Sequence, residues 1–493
     1  MILSGKNLRN VFIYLAPRFM NDALYIITLP ILARLLSPGD FGVAVLAIAF
    51  PTILVGLVTA GLPSAVARFF FEYRNNPKKL NSLFFSAQLY LYLGLILSAL
   101  GVFILRKQIS SIVINKPIYG QAIFIAYLSS YINFLNTFYL QVYQCMEKAL
   151  TQSIFFLAQS LIGISSSFIL VWRFKISYMG LVFGPLIGAA SAWAIVVVHF
   201  NIINVRTRID FNKAVLIENL KYGLQVVPKT FTGFINKFFD KYMLNSLLSM
   251  TAVGVYNIGQ SFANVFFVFM GNVWQAFQPA YFREVFEKGT NASFSVGRTF
   301  SLFSYVTLFP ILLGVLFAEE FIHLFFPPSY YGAIRIIVVL AASVTTQTFG
   351  MYTSIQFAYS KKPFWIFLVT VVGTLINVLA NMYMIPRYGL MGAGLATVSS
   401  VSGVNLILTY IGQKLFRIRY EWKTIIPLFG TILAAVLVIL GLGRTEIGRF
   451  YMYAIKSAII LGFISIGIMS KIISPHSLQT VFHSLFQAPR RAG

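Results

Sequence analysis

Apolar runs of about 20 residues, separated by short polar connectors, recur along almost the whole chain. As a helix, a run of this length crosses a hydrocarbon core about 30 Å thick. The pattern predicts an all-α polytopic membrane protein with about 14 transmembrane helices. The predicted spans are residues 11–35, 41–63, 82–105, 119–143, 151–172, 178–200, 222–249, 252–274, 299–318, 331–356, 364–385, 388–412, 424–443 and 450–472.

Three connectors are long enough to hold further structure, namely residues 64–81, 201–221 and 275–298. Each mixes basic and aromatic residues, a composition typical of helices that lie in the membrane interface. We therefore predict a short surface helix in each connector.

The second half of the chain repeats the first at a shift of 212 residues. This shift aligns LARLLSPGDFGV (32–43) with LNSLLSMTAVGV (244–255), and Glu72 with Glu284. Because six spans return a chain to the same side of the membrane, the repeat predicts two six-helix parallel lobes with a substrate site between them. The predicted domains are an N-terminal lobe (1–212), a C-terminal lobe (213–422), an additional C-terminal helix pair (423–473) and a cytoplasmic tail (474–493).

Composition agrees with a membrane class and limits the chemistry. Of the 493 residues 58% are hydrophobic and only 10% are charged, and the mean hydropathy is +0.79. Cys145 is the single cysteine, which excludes disulfides within the chain and cysteine-based metal sites. The histidines form no cluster with metal-ligand spacing, so neither a metal nor a cofactor is predicted.

The formal net charge of +25 would suggest a nucleic-acid partner in a soluble protein. Here many of the cations lie in short loops beside spans, where anionic lipid head groups and topology account for them. When the N-terminus is placed in the cytoplasm, the inner loops hold more than twice as many Lys and Arg residues as the outer loops. We therefore predict cytoplasmic termini, a lipid-bilayer environment and no nucleic-acid partner.

The span at 222–249 carries an unusual number of charges, each of which costs roughly 3 kcal/mol or more in lipid when isolated. At about 100° per residue, its polar side chains share a net positive face. Such a face predicts the lining of a cavity or substrate path, and the alternative is a buried cluster that ties helices together. The residues concerned are Lys229, Asn236, Lys237, Asp240 and Lys241.

In the first span Pro17 precedes the cation Arg18, at nearly the position that the repeat aligns with the polar part of the span at 222–249. A proline at this point suggests a helix that can bend. Asp22 follows four residues after Arg18, so the two can also neutralise each other. Tyr14 and Tyr25 lie on nearly the same face and can stack on sugar rings, although tyrosines are also common at membrane interfaces.

Amides occur inside several spans, and three lie on one face of the eighth: Asn257, Gln260 and Asn264. They are candidate sugar contacts, whereas amides elsewhere, such as Asn133, Asn136 and Gln356, join helices equally well. Small residues at 180, 184 and 188 predict a ridge for close helix packing.

Other charged residues are expected to be structural or solvated. Lys456 lies near the outer end of the last span, where its side chain can snorkel to the interface. Glu319, Glu320 and His323 are predicted in an outer loop with a solvated face.

Four stretches carry a resemblance to a known family. LPILARLLSPGDFGVAVLAIAF (29–50), GLPSAVARFFFE (61–72), EEFIHLFFPPSYYGAIRIIVVLAAS (319–343) and YGLMGAGLATVSS (388–400) resemble polysaccharide exporters and O-antigen-type flippases of the multidrug/oligosaccharidyl-lipid/polysaccharide (MOP) exporter superfamily. The resemblance implies an inner-membrane exporter with a cationic central cavity that moves undecaprenyl-pyrophosphate-linked sugars outward. Related lipid II flippases also have two additional C-terminal spans, but their arginine-rich first span is not reproduced here, where Arg18 is the only deep cation.

We therefore predict a secondary transporter of a bacterial inner membrane, not an enzyme: a flippase for a polyprenyl-pyrophosphate-linked O-antigen, capsule or exopolysaccharide unit. Arg18, Lys229, Lys237 and Lys241 are predicted to bind its head group, and Asp22 or Asp240 to couple transport to H⁺ or Na⁺. A glycan polymerase and chain-length machinery are the expected partners. The alternatives are a multidrug exporter, a lipid II flippase and a membrane polysaccharide polymerase; phosphate-loop, Gly-x-Ser-x-Gly and His-Glu-x-x-His motifs are absent from the sequence.

Overall fold

The computed structural model describes residues 20–21, 24–204, 208–225, 227–362, 364–442 and 448–472. Among these residues the backbone is helical apart from short turns and connectors, and no strand occurs. Twelve helices in the described ranges are long and apolar enough to cross a membrane. The predicted all-α polytopic membrane fold is confirmed.

Two of the fourteen predicted spans do not meet that criterion of length and composition. The first is described as a shorter apolar helix, Leu24–Leu35. The seventh has 21 helical residues, Val227–Leu247, but its charged and amide side chains make it too polar.

The chain divides into two compact units, Met1–Asn257 and Ile258–Gly493, whereas the predicted boundaries at 212 and 422 stay predictions. The helices of the first unit are α1 (Leu24–Leu35), α2 (Pro38–Val58), α3 (Leu62–Tyr73), α4 (Pro77–Val113), α5 (Gly120–Cys145), α6 (Ala149–Trp172), α7 (Ser177–Val198), α8 (Lys213–Leu224), α9 (Val227–Leu247) and the start of α10 (Met250–Lys288).

The second unit contains the rest of α10 and the helices that follow it. These are α11 (Ser293–Leu316), α12 (Ala318–Phe325), α13 (Ala333–Tyr359), α14 (Phe364–Tyr388), α15 (Leu390–Leu415), α16 (Trp422–Leu442) and α17 (Arg449–Met469). Short 3₁₀ segments lie at Pro117–Tyr119, Gly289–Ala292 and Pro328–Tyr330, and a π-helical segment, His199–Asn204, extends α7.

Local sequence sets where several of these helices begin. Ser37 caps α2 by accepting a hydrogen bond from the Asp40 amide at 3.1 Å, and its hydroxyl donates to the Asp40 carboxylate. Asn76 caps α4 in the same way through the Lys79 amide. In both helices proline occupies the first turn, where its missing N–H costs no hydrogen bond.

Buried tyrosines of α5 form much of the core of the first unit. The hydroxyl of Tyr131 donates to the Leu91 carbonyl at 2.8 Å, and the hydroxyls of Tyr92 and Tyr139 lie 2.6 Å apart. The Tyr131 and Tyr139 rings are therefore buried without leaving their hydroxyls unpaired, which would otherwise cost about 1–3 kcal/mol each.

An aromatic cluster on α10, α11 and α13 forms the core of the second unit. The Tyr352 ring lies 4.6 Å from Tyr281 and 4.9 Å from Phe300, measured between centroids, and Trp274 packs on the same ring at 5.0 Å. Such offset and edge-to-face pairs add to the stabilisation that comes from burial alone.

Separate short helices are found in two of the three connectors, while their location on the membrane surface stays a prediction. α3 and α8 are separate 12-residue helices at the expected places. The third prediction is wrong, because α10 continues without interruption for 39 residues to Lys288 and only the 3₁₀ turn Gly289–Ala292 separates it from α11.

Candidate functional site

The polar helix singled out by the sequence, α9, places two charged residues inside the first unit. Asp240 is 1% exposed and Lys241 is 6% exposed. The buried hydroxyl of Tyr256, on α10, donates a hydrogen bond of 2.8 Å to the Asp240 carboxylate. The Lys241 ammonium lies 5.1 Å from the centre of the Phe238 ring, within the range of a cation–π interaction. A cation and an anion are thus held in a desolvated environment, where each interaction is stronger than in water.

Several predicted site residues cannot be placed beside this pair. Tyr14, Arg18 and Asp22 lie outside the described residues. The backbone positions 229, 236 and 237 belong to α9, but the side chains of Lys229, Asn236 and Lys237 lie outside the described part of the structure. Their predicted roles in binding and coupling stay predictions.

The three amides of the eighth predicted span all lie on α10 but differ in burial. Asn257 is buried, Gln260 is half-buried and Asn264 is exposed. Their roles as sugar contacts stay predictions.

A cavity of about 350 Å³ lies inside the first unit, between α1, α2, α5, α6 and α7. Its volume is at the lower end of the range of small-molecule pockets. The predicted residue Tyr25 is part of its wall, next to Thr28. Helices α5 and α6 supply six polar residues: Ser129, Ser130, Asn133, Gln159, Ser160 and Ser167. No charged side chain is found among the described residues that line it.

A chain of amides fixes one wall of this cavity. The Gln159 side chain donates to the Asn133 carbonyl oxygen at 2.6 Å and accepts from the Asn136 amide at 3.0 Å. Asn136 also donates to the backbone carbonyl of Ala189 on α7 at 2.9 Å. The two lining amides are therefore oriented before any ligand arrives, because α5, α6 and α7 hold them together.

Close packing of α6 against α7 supports the same wall. A methyl group added at Gly188 would lie 2.5 Å from the Gln159 carbonyl oxygen and 2.7 Å from the Gly163 Cα. Neither distance is compatible with a side chain, so the backbones touch at this crossing. The small-residue ridge predicted at 180, 184 and 188 has this packing role.

Sequence reasoning missed most of the cavity. Asn133 was singled out as an amide inside a span, but Gln159 and the serines were not. The available signal was the Gln-Ser pair at 159–160 in the middle of a predicted span, together with the Ser-Ser pair at 129–130.

The interpretation of Lys456 as a snorkelling residue is wrong. Its side chain is 1% exposed and forms an ion pair with Glu320 on α12. The rings of Phe317 and Tyr453 lie 5.4 and 5.5 Å from its ammonium. Glu320 is therefore not simply solvated either, because burial among aromatic rings requires Lys456 to have a counter-charge.

With this geometry established, comparison with known proteins identifies the family. Residues 7–283, more than half of the chain, match the model of a family described as polysaccharide biosynthesis protein. The chain belongs to this family. A segment of 199 residues, 39% of this family member, is also 25% identical to an uncharacterized membrane protein of Methanocaldococcus jannaschii and spans 38% of that protein.

Solved structures show which fold this family member shares. A lipid II flippase, MurJ, in an inward closed conformation, superposes with a TM-score of 0.70 over 96% of this chain and 99% of its own, at 15% identity. An inward-facing multidrug resistance MATE transporter of the MOP superfamily gives 0.60, covering 80% and 94% at 16% identity. A MOP superfamily transporter from Pyrococcus furiosus gives 0.51, covering 82% and 95% at 15% identity. Identities this low establish a common fold and leave the cargo open.

Proposed function

We propose that this protein is a flippase that moves an undecaprenyl-pyrophosphate-linked oligosaccharide from the cytoplasmic to the outer leaflet of a bacterial inner membrane. The observation that carries the proposal is the match of residues 7–283 to a polysaccharide biosynthesis family in a chain with twelve helices that can span a membrane. A multi-pass protein of this kind can act on sugars by moving them across the bilayer.

The cations of the first unit support an anionic cargo. Lys241 is buried on α9 close to the Asp240–Tyr256 pair, in a protein with a net charge of +25. A pyrophosphate that enters such an environment gains strong interactions with ammonium and guanidinium groups because little water competes for them. We assign this contact to Lys241 together with Arg18, Lys229 and Lys237. Lysine suits a cargo that must be released, since its ammonium acts as a point charge without a bidentate fork.

Transport proceeds in this proposal by alternating access, without covalent chemistry on the cargo. Asp240 is the described candidate for coupling, because protonation of its carboxylate or binding of Na⁺ would change its hydrogen bond with Tyr256. Asp22 is the second candidate. A flip rate that does not respond to imposed pH or Na⁺ gradients would exclude ion coupling.

The proposal also sets the cellular context. The distribution of Lys and Arg among the loops supports cytoplasmic termini, and the lipid tail of the cargo would remain in the bilayer. A glycan polymerase and chain-length machinery would receive the exported unit. O-antigen, capsule and exopolysaccharide units share the head group on which the proposal depends.

The test is reconstitution of the protein in liposomes with a fluorescent undecaprenyl-pyrophosphate oligosaccharide. Wild type should move the lipid between leaflets, and Lys229→Ala/Lys237→Ala should slow this transfer at least tenfold because the pyrophosphate loses its cations. Lys221→Ala is the matched control, since it removes the same charge from the last turn of α8, where the residue is exposed.

Each other outcome has a definite reading. Equal rates in wild type and the double variant would retain the flippase and remove the proposed head-group site. Transfer of lipid II, or of a cationic drug, in place of the oligosaccharide lipid would overturn the cargo, provided that a control flippase is active in the same liposomes.

A further inference from the structure

The cavity in the first unit differs chemically from the charged residues of α9. Its described lining contains hydroxyls, amides and aliphatic groups but no charged side chain. Phosphate and metal cations are poor ligands for such a wall, because no lining side chain supplies a counter-charge. A neutral ligand with apolar faces and a few hydroxyl groups matches it, because most of the lining is apolar and its hydroxyls and amides both donate and accept hydrogen bonds.

Several lining hydroxyls are available to a ligand. Serine in a helix commonly bonds to a carbonyl of the preceding turn, as Ser160 does to Phe156 at 3.0 Å. Ser129 and Ser130 form no hydrogen bond with another described residue, whereas the Ser167 hydroxyl packs against Gly184 at the α6–α7 crossing. Hydroxyls without a partner in the protein can both donate to and accept from a ligand in the cavity.

Hydrogen bonds between side chains fix the orientation of the amides in the cavity wall. Gln159 uses both ends of its amide to hold Asn133 and Asn136, so the amide plane is fixed. The Asn133 carbonyl oxygen receives one of these bonds, so the NH₂ group of this exposed residue can donate to a ligand. Tyr25 and the apolar residues of α1 and α2 line other parts of the cavity. A lining with both polar and apolar parts suits a sugar ring, which has hydroxyl edges and C–H faces.

We propose that this cavity binds an uncharged pyranose unit of the transported glycan. The inference rests on the proposed function, because it assigns a second contact to the same cargo. The cargo would then be recognised at two sites. The cationic α9 site would bind the pyrophosphate, and the neutral cavity would bind only a lipid to which a glycan is attached. The bare lipid carrier would occupy the α9 site alone.

The test compares binding of two lipids to the full-length protein in detergent: undecaprenyl pyrophosphate that carries a neutral oligosaccharide, and the same lipid without sugar. Wild type should bind the glycosylated lipid more tightly. Ser129→Ala/Ser130→Ala should weaken that binding about tenfold, the equivalent of one to two hydrogen bonds, and leave binding of the bare lipid unchanged. Ser465→Ala, an exposed serine on α17, is the matched control.

A third probe tests the predicted neutrality of the site. Replacing the neutral sugars by a uronic acid should weaken binding to wild type, because the cavity offers no cation to the carboxylate. Thermal unfolding of the double variant checks that it is folded; alanine is well accepted in helices, so its midpoint should match that of wild type.

The outcomes separate the two proposals. If wild type binds neither lipid, the proposed function fails. If wild type binds both lipids equally, or the double variant retains the preference for the glycosylated lipid, the flippase survives and the sugar site is overturned. A double variant that loses both lipids equally also overturns the sugar site, because the serines would then not be specific for the glycan.

Discussion

Gly42 on α2 and Gly254 on α10 lie in backbone contact, and they occupy equivalent positions 212 residues apart in the two repeats. A methyl group added at Gly42 would lie 3.2 Å from the Gly254 amide nitrogen, and one added at Gly254 would lie 2.8 Å from the Pro38 carbonyl carbon. The backbones of α2 and α10 therefore touch here, with no room for a side chain at either position. The internal repeat itself stays a prediction from the sequence.

Alanine at either position should separate α2 from α10. We expect Gly42→Ala and Gly254→Ala each to lower stability by about 1–3 kcal/mol, the usual cost of overpacking, as measured by thermal unfolding in detergent. Gly462→Ala on α17 is the control, because no atom lies within 4 Å of its added methyl group. Unchanged midpoints in both variants would mean that the two helices are not packed this closely.

The buried pair of Lys456 and Glu320 should stabilise the attachment of α17 to α12. We expect Lys456→Met to cost about 2 kcal/mol, between the values for exposed and fully buried pairs, because Glu320 retains partial access to solvent. Lys456→Met/Glu320→Gln should recover part of that loss, since no charge then remains unpaired. The control is Glu320→Gln alone. If the losses of stability caused by Lys456→Met and Glu320→Gln simply add in the double variant, the two residues do not interact.

Replacing Arg298 on α11 should lower stability even when the new residue is lysine. Its guanidinium donates to both oxygens of Glu421, at 3.1 and 3.2 Å, and to the Lys471 carbonyl at 3.0 Å. An ammonium cannot reproduce this fork, so Arg298→Lys should lower stability by about 1 kcal/mol. Lys288→Ala, which removes an exposed pair with Glu284, should change it by only a few tenths. Equal effects of the two substitutions in thermal unfolding would contradict this ranking.

Tyr73 at the end of α3 should make stability fall at high pH. Its pKa is raised from 10.0 to about 12, first by burial and then by its 2.9 Å hydrogen bond to Glu218 and the nearby carboxylates. The folded state therefore holds this proton more tightly than the unfolded state does. The resulting stabilisation is complete below about pH 10 and is lost as the pH rises through about 12.

Comparison of wild type with Tyr73→Phe isolates this contribution. The difference in unfolding midpoint should be constant up to about pH 10 and shrink above it, because phenylalanine has no proton to lose. A difference that stays constant to about pH 12 would show that the phenol is not protected.

The membrane fold could be predicted because hydrocarbon thickness imposes a repeat length on the sequence. Every one of the twelve spanning helices falls on a predicted apolar run. The continuation of α10 beyond Gln275 could not be predicted, because a connector of basic and aromatic residues is compatible both with a separate surface helix and with the extension of a long helix.

The cavity could not be predicted because its properties depend on which serines are left without a partner. Ser160 bonds to the preceding turn, whereas Ser129 does not bond to a described residue, although both lie in similar apolar runs. Pairings between positions far apart in the sequence could not be predicted either: Lys456 forms an ion pair with Glu320, 136 residues away. Asp240 could be singled out from the sequence, because a charged side chain within a membrane span has a high free-energy cost.

The crossing of α6 and α7 has a consequence for how this family can diverge. A side chain at position 184 would meet the Ser167 amide nitrogen at 2.5 Å and its Cα at 2.7 Å, so shortening the side chain at 167 could not make room. Only a wider helix spacing could, and that would release the constraint at 188 at the same time. Positions 184 and 188 are therefore expected to change together in evolution, and a relative that has lost one of these glycines should have lost the other and reshaped the adjacent cavity.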